Sequence, residues 1–501
     1  MTPSSKRIPF VAALALVGSL LAADVQPAQA LGPNWTLRTP ATAPAGRYSH
    51  SMAYMPSAGA TVMFGGCSQL LDEPSVRVNH RSKRDANDDH SHTDNVTYCS
   101  VTHGDTWSWN GSAWTQRATT GGPAPRYAAN LAYDSASGAL ILTGGVRWEI
   151  TDTPEPTPPD TSTRCMGTIN YFEILSGTNT GKYLNLYCYN DTWSLTKSGT
   201  TWTWNQLTPS ASPPARFEAA MAHDALGRPT LTAGCKGIGI FHTETGGYGI
   251  DCHHYSVTDH LYARDTWTFV SDPGAGGPTW QKAAQDHPDC GTAENRWIPT
   301  CRYGFPEGAT FNPQNTGTVF LYGGFHYNGG AYNLQNFVLD TVWQWWHKPE
   351  PLGEWHKSCF QNEPDCGIDV AQGAGRRAWA AVETIWWEGA FRPAVFAGRG
   401  GLASNEGNKL NRDLWVWVDT PGTYLESPEA WKGSWVQACP SLSCTTQPSA
   451  RWQAGMAYHA QNHLVVFGGM TDLNGTPNAQ TWTFPAAAPP GSILCTACIS
   501  T

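Results

Sequence analysis

The chain has 501 residues, and its 31 Lys and Arg against 40 Asp and Glu give a formal net charge of −9. So acidic a chain is a poor partner for the phosphate backbone, and we expect no nucleic acid ligand. After residue 30 no stretch is apolar enough to span a bilayer, so we also expect no membrane span.

The N-terminal residues have the features of a signal peptide. Lys6 and Arg7 precede an apolar run over residues 10–22, and residues 28–30, Ala-Gln-Ala, have the small-x-small form of a cleavage site. The apolar run is too short for a membrane-spanning helix. We therefore expect a secreted or periplasmic protein. Its predicted parts are a signal peptide over 1–30, a folded domain over 31–485 and a C-terminal tail over 486–501.

A repeat recurs six times in the folded domain. In the second copy it consists of Arg126-Tyr127, a Gly pair at Gly144-Gly145, Asp191-Thr192-Trp193 and a lone Trp202. The fifth copy is the most degraded, with its Gly pair at Gly400-Gly401. The six copies begin at Arg47, Arg126, Arg216, Arg302, Arg377 and Arg451.

Each copy contains four short strand-like runs, such as residues 61–64 and 139–142, separated by turn residues. Four-stranded sheets of this kind bury their faces when they are arranged radially, which predicts a β-propeller. The last copy lacks a lone Trp after Trp482, and Trp35-Thr36-Leu37 supplies a matching strand near the N-terminus. That strand is predicted to complete the last sheet.

The Gly pair, the Asp-Thr-Trp and the later Trp resemble the blade motif of the kelch repeat family. The resemblance covers almost all of the chain after the signal peptide. It implies an all-β, six-bladed kelch-type β-propeller with four antiparallel strands per blade, in which the N-terminal strand closes the last blade. The repeated Trp side chains are then expected to pack between blades.

All 14 Cys fall into pairs that are close in sequence, and an even count in an exported protein predicts disulfides. The C-terminal Cys-Thr-Ala-Cys is interpreted as a bridge in the tail rather than a redox motif. The predicted pairs are Cys67 with Cys99, Cys165 with Cys188, Cys235 with Cys252, Cys290 with Cys301, Cys359 with Cys366, Cys439 with Cys444, and Cys495 with Cys498.

Long segments occur between the Gly pair and Asp-Thr-Trp and between successive copies. In an up-and-down four-stranded blade these connections share one face, which we call the insertion face. Residues 67–104, 146–190 and 235–264 are the largest insertions. Long loops on a rigid scaffold often carry binding, so this face is the predicted recognition surface.

The Arg that begins each copy belongs to the same face, and the six side chains could form a cationic ring that binds carboxylate or sulfate groups. In the alternative, they pair with the Asp of the repeat. The residues of the proposed ring are Arg47, Arg126, Arg216, Arg302, Arg377 and Arg451, and the candidate partners are Asp105, Asp191, Asp265 and Asp413.

Polar residues that interrupt small ones near the predicted axis are His50, Asn130, Glu218 and Gln453. Glu218 is the candidate general acid or base for an anionic sugar. The alternative is an ion pair between Glu218 and Arg216.

Residues 85–92 place oxygen ligands at alternate positions, as calcium loops do, with Asp85, Asn87 and Asp89 as the candidate ligands. The segment lacks the Gly at the sixth position and the acid at the twelfth, so a solvated loop is the alternative. No other cofactor is expected.

Three functions fit these observations. The first is an exported binding protein that recognises a glycan or an extracellular protein with the insertion face, and we prefer it. The second is a carbohydrate-active enzyme, because exported kelch propellers include a sialic acid mutarotase and galactose oxidase. Galactose oxidase fits less well, since its copper site needs a Cys-crosslinked Tyr, while Cys67 and Cys235 have disulfide partners in sequence. The third is a structural component of an extracellular assembly.

Overall fold

A computed structural model gives the structure of most of the chain between residues 34 and 485. The residues described are 34–79, 91–154, 165, 171–242, 248–252, 261–271, 276–284, 304, 309–313, 318–324, 342–346, 354–357, 374–375, 377–400, 409–419, 433–439, 444–460, 463–473 and 475–485. Within them the protein is all-β, with one short 3₁₀ turn at Pro56–Ala58.

The main sheets are numbered in chain order, and their strands are called inner, second, third and outer. The first has Ser51–Met55, Ala60–Phe64, Thr106–Trp109 and Trp114–Arg117; the second has Tyr127–Asp134, Ala139–Thr151, Thr192–Ser198 and Thr201–Leu207; the third has Ala220–His223, Pro229–Thr232, Thr266–Val270 and Thr279–Ala284; the fourth has Ala309–Asn312, Thr318–Tyr322, Val342–Trp346 and Glu354–Lys357; the fifth has Ala381–Trp387, Ala390–Phe396, Leu414–Asp419 and Gly433–Gln437; the sixth has Gly455–His459, His463–Phe467, Thr481–Pro485 and Thr36–Arg38.

The inner and second strands of these sheets are largely buried on both faces because each sheet packs between two others, whereas the outer strands alternate buried and exposed residues. All residues of Ala60–Phe64 and of Thr106–Trp109 in the first sheet are buried. On one side of this sheet, Phe64 shares a core with Leu142 and Trp204 of the second sheet. A strand covered on both faces therefore appears in the sequence as a short continuous apolar run.

The inner strands contact one another in chain order around a common axis. Ser51–Met55 contacts Tyr127–Asp134 on one side and Gly455–His459, the inner strand of the sixth sheet, on the other. The remaining inner strands contact their successors in the same way. The sheets therefore have a propeller-like arrangement.

The N-terminal strand completes the sixth sheet, as the sequence predicted. Thr36–Arg38 pairs antiparallel with Thr481–Pro485. Trp35, next to this strand, is buried between Phe396 of the fifth sheet and Phe484 of the sixth, with ring centroids 4.9 and 5.0 Å away. Pairing of the first strand with the last covers an edge that would otherwise be open.

In every copy whose following Arg is described, the Gly pair lies where one sheet meets the Arg that begins the next copy. The Gly145 amide donates to the Arg216 carbonyl at 2.8 Å. A Cβ on Gly144 would lie only 2.7 Å from the same carbonyl oxygen, and Gly144 has a φ of +74°. Both the close approach and the left-handed backbone favour Gly at this position.

The Gly pair predicted for the fifth copy, Gly400-Gly401, is wrong. The equivalent residues are Ala397 and Gly398, with φ values of +59° and +95°. The Gly398 amide makes the expected bond to the Arg451 carbonyl at 2.9 Å. The pair could not be recognised from the sequence because a left-handed backbone, as at Ala397, is uncommon for a residue with a Cβ.

A Trp of the outer strand joins each of several sheets to the sheet before it. Its indole N–H donates to the Thr of Asp-Thr-Trp, or to Thr481 in the sixth copy. The pairs are Trp114 with Thr481, Trp204 with Thr106, Trp280 with Thr192 and Trp355 with Thr266, each at 2.9 Å.

In the second sheet this residue is Trp204, not Trp202 as the repeat predicted. Trp204 pairs in register with Leu195, as Trp114 pairs with Trp109 in the first sheet. Trp202 is also buried, and the Arg117 guanidinium lies 5.2 Å from its ring. Two Trp separated by one residue share a face of the strand, so spacing could not distinguish them.

The first two insertions, expected as loops, form strands of one joined sheet. Cys67–Asn79 pairs with Ser91–Thr102 and also with Tyr171–Ile174. Tyr171–Ile174 pairs with Tyr183–Cys188, which pairs with the far end of Ala139–Thr151. The joined sheet has its own core, around which the described part of the first two insertions is built.

Three short segments complete the described strands. Gly239–His242 and Tyr248–Asp251 form a hairpin in the third insertion. Thr119–Thr120 pairs parallel with Thr201–Leu207.

Four predicted disulfides are confirmed: Cys67–Cys99, Cys165–Cys188, Cys235–Cys252 and Cys439–Cys444. They indicate an oxidising environment outside the cytoplasm. Within the described ranges, no helix is long and apolar enough to cross a membrane. The pairs predicted for Cys290 with Cys301, Cys359 with Cys366 and Cys495 with Cys498 lie outside those ranges.

Candidate functional site

In the copies where the structure describes it, the Arg that begins the copy is part of the scaffold. The two terminal nitrogens of Arg126 bond both carboxylate oxygens of Asp191, at 2.5 and 2.8 Å. Arg126 also donates to the carbonyls of Ala124 and Gly144. The Trp193 indole donates to the same carboxylate at 2.7 Å. The Arg and the Asp-Thr-Trp of one copy therefore form a single hydrogen-bonded unit.

The same ion pair recurs in the first, third and fifth copies, as the structural alternative predicted. A ligand at the proposed cationic ring would have to compete with these buried pairs. They are Arg47 with Asp105, Arg216 with Asp265 and Arg377 with Asp413. Arg302 lies outside the described ranges.

The sixth copy differs because Gln480 stands where the other copies have Asp. Arg451 is fully buried and donates to Gln480 Oε1 at 3.2 Å and to the Ser449 hydroxyl and two carbonyls. Its partners are all neutral, and burial lowers its pKa to about 10.

The second residue after each Arg has a left-handed backbone. These residues are Ser49, Ala128, Glu218, Gly304, Trp379 and Gln453, with φ between +48° and +83°. Backbone bonds link them around the axis: the amide of one donates to the carbonyl of its neighbour in five described links of 2.7–3.2 Å. We call these residues the axial ring.

Glu218 does not pair with Arg216, so that alternative is wrong. Arg216 pairs with Asp265, whereas Glu218 accepts a bond from Gln453 Nε2 at 3.5 Å. Glu218 and Gln453 belong to the third and sixth copies, whose inner strands are not neighbours. Their side chains therefore meet across the axis, at the end nearer the insertion face.

His50 lies between the first and sixth sheets. Its ring centroid is 5.5 Å from that of Phe467, and a Cβ on Gly455 would overlap the imidazole. Both ring nitrogens are buried without a hydrogen-bond partner. Burial, with Arg47 nearby, lowers its pKa to about 3. His50, which was predicted to lie near the channel, thus packs at the junction of two sheets.

Beyond the axial ring, the inner strands enclose a cavity of about 110 Å³, which we call the axial cavity. Every inner strand contributes to its lining. The polar and aromatic residues that line it are Ser51, Tyr54, Asn130, Tyr133, His223, Thr310, Phe311, Glu383, Thr384 and Tyr458. Of the residues predicted near the axis, only Asn130 lies in this lining.

Glu383 is the ionisable acid of the cavity. Its Oε1 accepts bonds from the Thr384 amide at 2.7 Å and the Thr310 hydroxyl at 3.1 Å, and its Oε2 accepts one from the Tyr458 amide at 3.1 Å. The carboxyl group touches the cavity but is otherwise surrounded by protein. This burial raises its pKa to about 6, against the lowering effect of the three hydrogen bonds.

The pKa shifts of Tyr54, Tyr458 and His223 favour the neutral form of each side chain. Burial raises the pKa of Tyr54 to about 12, and burial together with Glu383 raises that of Tyr458. Burial lowers the pKa of His223, whose ring stacks at 4.6 Å on Phe311. Glu383 is the acid of the cavity whose charge changes near pH 6.

The sequence did not single out Glu383, although a signal was present. When the copies are aligned on the Gly pair and the strand register, the residues equivalent to Glu383 on the other inner strands are small. They are Ala53, Ala132, Ala222, Thr310 and Ala457. An acid among these small residues is the signal for a site. The prediction considered only the second to fourth residues after the Arg, and Glu383 lies beyond them.

The predicted calcium ligands Asp85, Asn87 and Asp89 lie outside the described ranges. Within those ranges, no group of three or more His, Cys, Asp or Glu side chains is placed to hold a metal ion.

Comparison with solved structures finds a likeness to the structure of YjhT. It covers 88% of this chain and 95% of that chain, with 14% sequence identity and a TM-score of 0.45. No protein family model and no curated protein matches the chain.

Proposed function

We propose that the protein is an exported, six-bladed kelch-type propeller that binds a small carbohydrate ring in its axial cavity. Six sets of four strands and the order of the inner strands support the blade number. The N-terminal signal and the disulfides support export. The observation that carries the binding proposal is the combination of Tyr54, Tyr458 and Glu383 in one cavity.

This combination matches what a sugar ring offers. Its C–H faces pack on aromatic rings, and its hydroxyls need acceptors and donors at set positions. Tyr54 and Tyr458 lie edge to face at 5.8 Å, and Thr310 and Glu383 supply polar groups nearby. All of these residues lie on inner strands, so the site is already ordered before the ligand arrives.

Calorimetric titration with neutral monosaccharides tests the proposal. We expect saturable binding that Tyr54→Leu weakens at least about tenfold, because one lost ring face removes about 1–2 kcal/mol of contact. Tyr171→Phe on the insertion face is the matched control and should bind like the wild type. Absence of binding, or equal weakening by both variants, would overturn the proposal.

A second candidate is an enzyme that interconverts sugar anomers, resembling sialic acid mutarotase. Ring opening removes a proton from the anomeric hydroxyl and adds one to the ring oxygen, and a carboxyl group with a pKa near 6 can exchange both. Glu383 fits this role better than Glu218, which bonds Gln453 and lies outside the cavity lining. Exchange measured by NMR should fall to the uncatalysed rate in Glu383→Gln, with sugar binding retained.

The insertion face is proposed as a separate surface for a protein or larger glycan. Its joined sheet and the Cys67–Cys99 and Cys165–Cys188 disulfides support a rigid platform. The variant Arg77→Glu, which breaks the 2.8 Å pair with Glu173 on this sheet, should weaken such a partner and leave sugar binding unchanged.

A further inference from the structure

We propose that the axial cavity selects a small ring that carries a protonated amine, such as an amino sugar, over neutral and anionic rings. The inference rests on the proposed binding function and adds the charge of the ligand.

The first observation is the charge of the lining. Among the described residues that line the cavity there is no Lys or Arg, and Glu383 is the one carboxylate. Four of the described Arg side chains of the repeat are buried in ion pairs, such as Arg126 with Asp191, and Arg451 is buried with neutral partners outside the cavity lining. An anionic ring would therefore bring a second negative charge into the cavity without a counter-ion, whereas an ammonium group would supply one.

The second observation is the surplus of acceptors. Asn130 Nδ2 donates to the Ala219 carbonyl at 2.7 Å, which orients the amide, and leaves Asn130 Oδ1 buried without a hydrogen-bond partner. Glu383 accepts three bonds, and a carboxylate has about four acceptor positions. An ammonium group has three N–H donors and no acceptor, so it complements this lining.

The third observation is the aromatic wall. Tyr54, Tyr133, Phe311 and Tyr458 line the cavity on four different inner strands. A cation over an aromatic ring gains about 0.5–2 kcal/mol, and more as water is excluded. Aromatic rings around a single carboxylate therefore favour a cationic ligand over a neutral ligand of the same shape.

The pH dependence follows from the groups that face Glu383. These are Tyr54, Tyr133, His223 and Tyr458, from four inner strands, and the fourth strand contributes Thr310 and Phe311. Burial raises the pKa values of Tyr54 and Tyr458, so both stay protonated, and burial lowers the pKa of His223, which favours its neutral form. Ionisation of Glu383 then increases the attraction for an amine as pH rises from 5 to 7, and loss of a proton from His223 would act in the same direction.

Titration calorimetry with glucosamine, glucose and glucuronate at pH 5 and pH 7 tests the inference. With a Glu383 pKa of about 6, the ionised fraction rises about tenfold over this range, so glucosamine affinity should rise by about the same factor. Glucose affinity should stay constant, and glucuronate should bind most weakly. Glu383→Gln should remove the preference for glucosamine over glucose, while Glu173→Gln, on the insertion face, should change neither the preference nor the affinity for glucose.

Two outcomes would overturn the inference and are distinguishable. If glucose binds as tightly as glucosamine at both pH values, the charge selection fails and the proposed function stands. If none of the three sugars binds, the proposed function fails as well. The pH series on the wild type needs no variant, so it decides the question even if Glu383→Gln does not fold.

Discussion

The Trp204 indole N–H donates a hydrogen bond to Thr106 Oγ1 at 2.9 Å, which joins the outer strand of the second sheet to the third strand of the first. Both side chains are buried. The bond explains why Thr lies between Asp and Trp in the repeat: the Asp bonds within its own copy, and the Thr bonds to the next.

Thr106→Val removes the acceptor and leaves the Trp204 N–H buried and unpaired. We expect the free energy of unfolding to fall by about 1–3 kcal/mol in urea denaturation. Thr115→Val, at an exposed position of the first sheet, is the control and should change it by less than about 0.5 kcal/mol. Equal effects of the two variants would show that the bond contributes nothing specific.

Gln480→Asp gives Arg451 the carboxylate that its equivalents have. We expect a gain in unfolding free energy of about 1 kcal/mol, since a charged partner replaces a neutral one. The reverse change, Asp191→Asn, should cost about 3–5 kcal/mol because it leaves Arg126 buried without its counter-ion. Loss of stability in Gln480→Asp would contradict this account of the sixth copy.

Gly144→Ala and Gly59→Ala separate backbone strain from steric overlap. Their φ values are +74° and +58°, but an added Cβ meets the Arg216 carbonyl at 2.7 Å in the first case and nothing within 4 Å in the second. Gly59→Ala should cost about 1–2 kcal/mol, and Gly144→Ala clearly more, in the same unfolding assay. Similar values would mean that the contact between sheets adjusts freely.

Acid should destabilise the protein through His50. Its pKa is about 3 in the folded state and 6.5 when free, so the unfolded chain binds the extra proton and stability falls as pH drops below 6.5. The slope is at most about 1.4 kcal/mol per pH unit for one group. Glu383 has the opposite effect on stability. Its pKa is raised in the folded state, so its protonation stabilises the folded state at low pH. This contribution is lost as pH rises from 4.5 to about 6.

Urea denaturation midpoints measured from pH 8 to pH 4 test these opposing effects of His50 and Glu383 on stability. The slope between pH 7 and pH 6 should be smaller in His50→Leu than in the wild type, because Leu cannot take up a proton. An unchanged slope would assign the acid sensitivity to other groups, such as His223, whose pKa burial also lowers.

The parts of the fold that the repeat encodes could be predicted from the sequence. Arg126 and Asp191 recur at matching places, which offered their ion pair as one of two alternatives, and Trp35 marks the strand that the last copy lacks. Two positions could not be predicted: Ala397 replaces the Gly of the repeat, and Trp202 and Trp204 share a face of their strand.

The candidate site was harder to predict because it depends on register. Glu383 is conspicuous only once Ala53, Ala132 and Ala222 are placed at the same height around the axis. Glu218 is conspicuous in the sequence as a polar residue among small ones near the axis, yet its side chain bonds Gln453 and lies outside the cavity lining. Alignment on the Arg alone therefore favoured Glu218, whereas the strand register brings Glu383 into the cavity.

Crystallography of the protein soaked with glucosamine tests the central claim most directly. The account predicts density for the sugar in the axial cavity, with its amine within hydrogen-bonding distance of the Glu383 carboxylate and Asn130 Oδ1. Density confined to the insertion face, with the cavity holding only water, would contradict it.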